Sequence, residues 1–159
     1  MKLEQELFRF RRSEPSEVID RVTRLIEAGA GWLNIQPMVD EEGLYEGSQF
    51  GLLKMFSSRG PRIPQGTFVP GPKGKRNPAS VGLEHPQGPK AIERLEELGI
   101  PRPEGWRKRQ DHAKRGIVFD APPGTSPEAI VTWMLAAGTA LAGVPVGDWW
   151  IVNVHLPAR

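Results

Sequence analysis

The two ends of the chain carry the same signals, and this repetition limits what the chain can fold into more than any single residue does. Near the start, "LFRFRRSEPSEVIDRVTRLIEAGAGWLNIQPMV" opens on residues 7–12, a short aromatic-rich run that reads as a strand. Ser13, Glu14 and Pro15 then mark a helix start, with a capping hydroxyl, an acid for the first turn and a proline ahead of the periodic residues. Val18, Val22, Leu25, Ile26 and Gly29 recur at spacings of three and four, which draws one apolar stripe, and Gly29 and Gly31 end it. "WLNIQPMV" follows as a second strand, with Leu33, Ile35 and Val39 on one face and Asn34 and Gln36 on the other. Near the end, "GIVFDAPPGTSPEAIVTWMLAAGTALAGVPVGDWWIVNVHLP" repeats the pattern. Residues 117–120 are an apolar strand, Ser126 is an N-cap with Pro127 at the first helical position, and residues 129–141 are a helix. A last strand follows, in which Trp150, Val152, Val154 and Leu156 alternate with Trp149, Ile151, Asn153 and His155.

Strand–helix–strand twice over is the element order of the ferredoxin-like α+β sandwich, in which two helices cover one face of an antiparallel sheet. The expected architecture is one domain over residues 1–159, with core halves 1–40 and 105–159. Residues 41–104 form a long basic, Gly/Pro-rich insertion with an extra short helix, and a hairpin strand follows it. Residues 9–12, 33–39, 117–120 and 150–156 should share one sheet; a mixed sheet of other connectivity is the alternative. The first helix is amphipathic. The second is apolar nearly all round (Ile130, Val131, Trp133, Met134, Leu135, Ala137, Leu141), so it is covered on more than one side. Its cover is the chain's own middle segment, the reading we prefer, or a second copy in a homo-oligomer.

At 159 residues the chain can bury a core without staples. The absence of cysteine excludes disulfide frameworks, thiolate metal sites, thiol nucleophiles and Fe–S clusters. "MKLEQELFRFRR" carries charge where a secretion signal needs an apolar core, and residues 129–146 are too interrupted by glycine and proline for a membrane span. A cytoplasmic protein with no membrane contact is expected. The formal charge of +2 is unevenly spread, at −4 over residues 1–50, +8 over 51–115 and −2 over 116–159. The positive middle points to an anionic partner, a nucleic acid or an acidic protein surface.

That middle reads mostly as loop, apart from "FGLLKMF" at residues 50–56, an apolar stretch suited to a lid. Between Lys54 and Leu83 there are six basic residues and no acid. Residues 89–98 form a helix with Ala91, Leu95 and Leu98 as its stripe, and residues 106–111 and 117–120 form a hairpin around "HAKRG". Strict alternation puts Arg107, Arg109 and Asp111 on one side of the first hairpin strand, with Trp106, Lys108 and Gln110 on the other.

Asp111–His112 has the composition of an acid/base pair, since a histidine base needs a carboxylate to orient it. Neighbours on a strand point to opposite faces, however, so a turn histidine is the preferred reading. No serine stands in a nucleophile motif, and His85, His112 and His155 lack the spacing of metal ligands. The acids Asp40, Glu41, Glu42 and Glu46 lack the spacing of a calcium loop. No dinucleotide or Walker pattern occurs, so no cofactor or metal is expected. The expected function is a non-catalytic binding or accessory module that grips its anionic partner with Arg59, Arg62, Lys73, Lys75, Arg76, Arg107 and Arg109. The alternative is a small-molecule-binding protein or small enzyme with a pocket over the open sheet face. Asn34, Gln36, Trp149, Asn153 and His155 would line that pocket, with His155 or His112 moving the proton.

Overall fold

The strands follow from period-two alternation, one side apolar and the other polar, which a sheet covered on a single face requires. The structure, a computed structural model, describes residues 1–38, 60–74 and 76–158. Among them are strands β1 (Leu3–Arg11), β2 (Trp32–Pro37), β3 (Gln65–Val69), β4 (Ala79–Glu84), β5 (Arg107–His112), β6 (Gly116–Ala121) and β7 (Trp149–Pro157). They form one sheet in the order β1-β7-β2-β3-β4-β6-β5, antiparallel at every pairing. The helices are α1 (Ser16–Ala28), α2 (Ala91–Glu97) and α3 (Pro127–Leu141).

This arrangement overturns the ferredoxin-like expectation. Among the described residues there are seven strands in one sheet and three helices, and β7 lies between β1 and β2. The four segments expected in one sheet contribute to β1, β2, β6 and β7 of it, β1 ending at Arg11 and β2 at Pro37, with Val39 outside the described residues. What the alternation missed is the β3–β4 hairpin, which comes from the stretch read as insertion and stands at the middle of the sheet. "QGTFV" and "ASVGLE" bury Gly66, Phe68, Val81 and Leu83 at alternate positions. Each strand is short and holds a glycine, and the prolines around them dilute the period.

The helices pack on the face carrying Leu33, Ile35, Phe68, Val81, Phe119, Trp150, Val152 and Val154, all buried. α3 crosses β2, β3 and β4, and α1 and α2 flank it, so the chain itself covers its nearly all-apolar surface. Ser126 caps α3 by accepting from Ala129 N at 3.0 Å. α1 starts three residues later than Ser13, whose amide and hydroxyl instead donate to Asp148 at 2.9 and 2.7 Å. It ends at Gly29, where φ is +63° and a Cβ would lie 2.4 Å from Lys73 N in the β3–β4 turn. In α3, Gly138 admits the indole of Trp150, which a Cβ would meet at 2.9 Å. α2 buries Ala91, Ile92 and Leu95, while Leu98 is 53% exposed rather than part of the stripe. No helix among the described residues is long and apolar enough to cross a membrane.

Candidate binding face

The "WRKRQDHAKRG" segment resolves into structural duties. β5 and β6 pair as the expected hairpin, but a bulge between Lys108 and Gln110 inserts Arg109 and breaks the alternation. Arg107 and Gln110 therefore stand opposite Asp120 and Val118, and Asp111 opposite Ile117 on the helix side. From there the Asp111 carboxylate accepts from Ala91 N at 3.3 Å and Ile92 N at 3.1 Å, which caps α2 across the fold. The residue before α2, Lys90, sits at φ +60° and provides no side-chain cap, so Asp111 supplies the missing acceptor. His112 turns the other way. Its Nδ1 accepts from Lys114 N at 3.0 Å and Arg115 N at 3.1 Å, closing the hairpin turn. The two side chains do not form a dyad.

A histidine that alternation could not locate is the one in the core. His85 is fully buried just past β4. Its Nδ1 accepts from Gln87 N at 3.1 Å, so the ring proton belongs on Nε2, which has no partner. Burial pushes its pKa below the ordinary histidine value, against the pull of the Asp111 carboxylate. Such a group is held neutral. Among the described residues no three His, Asp or Glu side chains gather as metal ligands would.

The five residues named for a pocket, Asn34, Gln36, Trp149, Asn153 and His155, lie together on the face of the sheet opposite the helices. The sequence reading passed over Trp32, Gln5, Thr67 and Arg11 on the same face. Trp32 starts β2 two residues before Asn34, so the alternation already pointed to it. At one end, Trp32 stacks on His155 with ring centroids 4.3 Å apart and 22° between planes. At the other, the guanidinium groups of Arg9 and Arg11 lie over Trp149 at 5.3 and 4.9 Å. Along β7 the two aromatic positions are about 20 Å apart. Between them, Asn153 Oδ1 accepts from Gln5 Nε2 and Asn34 Oδ1 from Thr67 Oγ1, both at 2.9 Å. With both oxygens occupied, the amides present their NH₂ groups as donors. Trp32 is 37% and Trp149 44% exposed. Across β1, β7 and β2 the described side chains of this face include three cationic or ionisable bases, Arg9, Arg11 and His155, and no carboxylate.

The basic residues separate. Lys73 and Arg76 lie in the β3–β4 turn, at the Trp32–His155 end of the sheet, and Arg107 at the start of β5 shares that end. Arg109 forms an ion pair with Asp120. Arg62 precedes β3 at the opposite end, where it donates to Gly143 O at 3.3 Å. Arg59, Lys75, the apolar stretch 50–56 and the acids Asp40, Glu41, Glu42 and Glu46 lie outside the described residues. A cleft of about 240 Å³ between Lys73, Asn77, Ile26 and Thr125 borders the turn. No family model, no curated protein and no solved structure matches this chain.

Proposed function

We propose that this protein is a non-catalytic binding module that takes a single-stranded nucleic acid on the open face of its sheet. Bases stack on the Trp32–His155 pair and on Trp149. Phosphates meet Arg9 and Arg11 at one end and Lys73, Arg76 and Arg107 at the other. The observation that carries the reading is the pairing of two exposed aromatic positions with flanking arginines on β1, β7 and β2, whose open-face side chains include no carboxylate, while Glu84 and Asp120 stand further along the sheet on β4 and β6. Stacking on aromatic side chains tolerates any base, because every base has a π-face, and cationic groups along the path hold the backbone. The amide donors of Asn34 and Asn153 face acceptors such as base carbonyls.

The test is a fluorescence titration of the full chain with a single-stranded homopyrimidine oligonucleotide at low salt. The wild type should bind, and Trp32→Ala and Trp149→Ala should each weaken binding by about 5- to 150-fold, equivalent to about 1–3 kcal/mol per lost stack. Equal affinity in wild type and both variants would remove the face from the account. Binding of an acidic protein with no binding of nucleic acid would replace the partner.

A further inference from the structure

Two amide side chains stand side by side on the open face. Asn34 on β2 is the register partner of Asn153 on β7, and both point away from the helices. Their carbonyl oxygens are drawn to opposite sides of the seam between β7 and β2. Asn153 Oδ1 accepts from Gln5 Nε2 on β1, and Asn34 Oδ1 accepts from Thr67 Oγ1 on β3. A primary amide is planar and carries its NH₂ on the arm opposite the oxygen. The two NH₂ groups therefore turn inward and converge over the seam. Among the described residues neither has an acceptor.

Converging donors select what lies between them. A carbonyl oxygen has two lone pairs and satisfies both, whereas an amino group sets donor against donor. The bases divide on this point. Uracil, thymine and guanine present an exocyclic keto oxygen where cytosine and adenine present an amino group.

We propose that the Asn34–Asn153 pair selects keto bases over amino bases in the strand bound on this face. This selectivity rests on the nucleic-acid reading above and adds the base class to it. The pair lies two residues from Trp32 and His155 along β2 and β7, about 7 Å from their stacked rings. A strand stacked on those rings carries its next base over the amides. Leu7, which stands opposite Asn153 in register and is 64% exposed, gives the ring of that base an apolar side chain to lie against. Stacking tolerates any base, so discrimination falls to the amides. An amino base strips water from the two NH₂ groups and returns no acceptor, and that loss is what rejects it.

Oligouridine and oligocytidine of equal length separate the two classes. They share ring size, sugar and phosphate, and differ at the keto or amino group. Fluorescence titration of the full chain at low salt should give about 5- to 150-fold tighter binding of oligouridine. Asn34→Asp and Asn153→Asp each keep an oxygen for Thr67 or Gln5 and replace a donor by an acceptor. The added negative charge weakens binding of both strands, so the ratio of the two affinities is the readout. That ratio should fall to parity or reverse. Equal affinity of the wild type for the two strands would overturn the selectivity and leave the stacking reading in place, because the amides would then meet phosphate or sugar. A preference for oligouridine that survives both aspartate variants would overturn it as well. Binding of neither strand would remove the nucleic-acid reading itself, and this inference with it.

Discussion

Asp111 offers the sharpest separation between a catalytic and a structural role. In Asp111→Ala the N–H groups of Ala91 and Ile92 lose the acceptor that now lies 3.3 and 3.1 Å away. Loss of a helix cap costs about 1 kcal/mol in a typical site and up to about 2 kcal/mol where the freed donors are poorly hydrated. Both amides here are part-buried, and the preceding Lys90 gives no substitute, so the expected loss is about 1–2 kcal/mol. In a chain of this length that corresponds to a melting temperature lowered by about 2–8 °C. Asp111→Asn keeps one carbonyl oxygen for one of the two amides and turns an NH₂ toward the other, so it should fall between wild type and Asp111→Ala. Urea unfolding followed by far-UV dichroism gives the three midpoints, with an unchanged m-value showing that the same surface is exposed. Equal midpoints for wild type and Asp111→Ala would refute the capping role, and the position of α2 would then need another cause.

Two further outcomes test the packing and the buried imidazole. Gly138→Ala gains about 1 kcal/mol of helix propensity, but its Cβ would meet Trp150 Cη2 at 2.9 Å, and overpacking costs about 1–3 kcal/mol. A lowered thermal midpoint is expected, and a raised one would mean that α3 sits less closely on the sheet. For His85 the folded pKa is depressed by burial. The unfolded chain therefore takes up a proton near the ordinary value of about 6.5 while the folded chain resists it. The stabilisation is complete above that pH and is lost as the pH falls below it. Denaturation at pH 7 and pH 5 should show a smaller pH-dependent loss in His85→Phe than in wild type, and equal losses would contradict the buried neutral ring.

The sequence announced most of what period-two alternation can carry. β2 and β7 were legible because Leu33, Ile35, Val152 and Val154 alternate cleanly with amides and aromatics, and the same alternation collected Asn34, Gln36, Asn153 and His155 on one face. α3 was legible from Ser126 and Pro127. The β3–β4 hairpin was not, because its apolar positions are only Phe68, Val81 and Leu83, spaced by glycine and bracketed by proline. Their burial is decided by the neighbours β2 and β6, which no local window contains. Missing that hairpin turned a seven-stranded sheet into an expected four-stranded core with one hairpin strand beside it. His112 stands in the hairpin turn as its place in the sequence suggested, but the capping role of Asp111 was illegible for a related reason. One bulge at Arg109 reverses the face of everything after it, and the helix that Asp111 caps lies about twenty residues away in the chain. The stack of Trp32 on His155 depends on the register of β2 with β7, which is a long-range property.

The claim that the open face is the binding surface is tested most directly by the five tryptophan indole N–H resonances of an ¹⁵N-labelled sample. Trp32 and Trp149 are exposed on that face, whereas Trp106, Trp133 and Trp150 are buried beneath the sheet. Addition of a single-stranded oligonucleotide at low salt should shift the Trp32 and Trp149 indoles, together with the side-chain amides of Asn34 and Asn153. The three buried indoles should stay in place, and raising the salt should reverse the shifts. Shifts confined to the backbone around Lys73, Arg76 and Arg107, or no shift at saturating oligonucleotide, would contradict it.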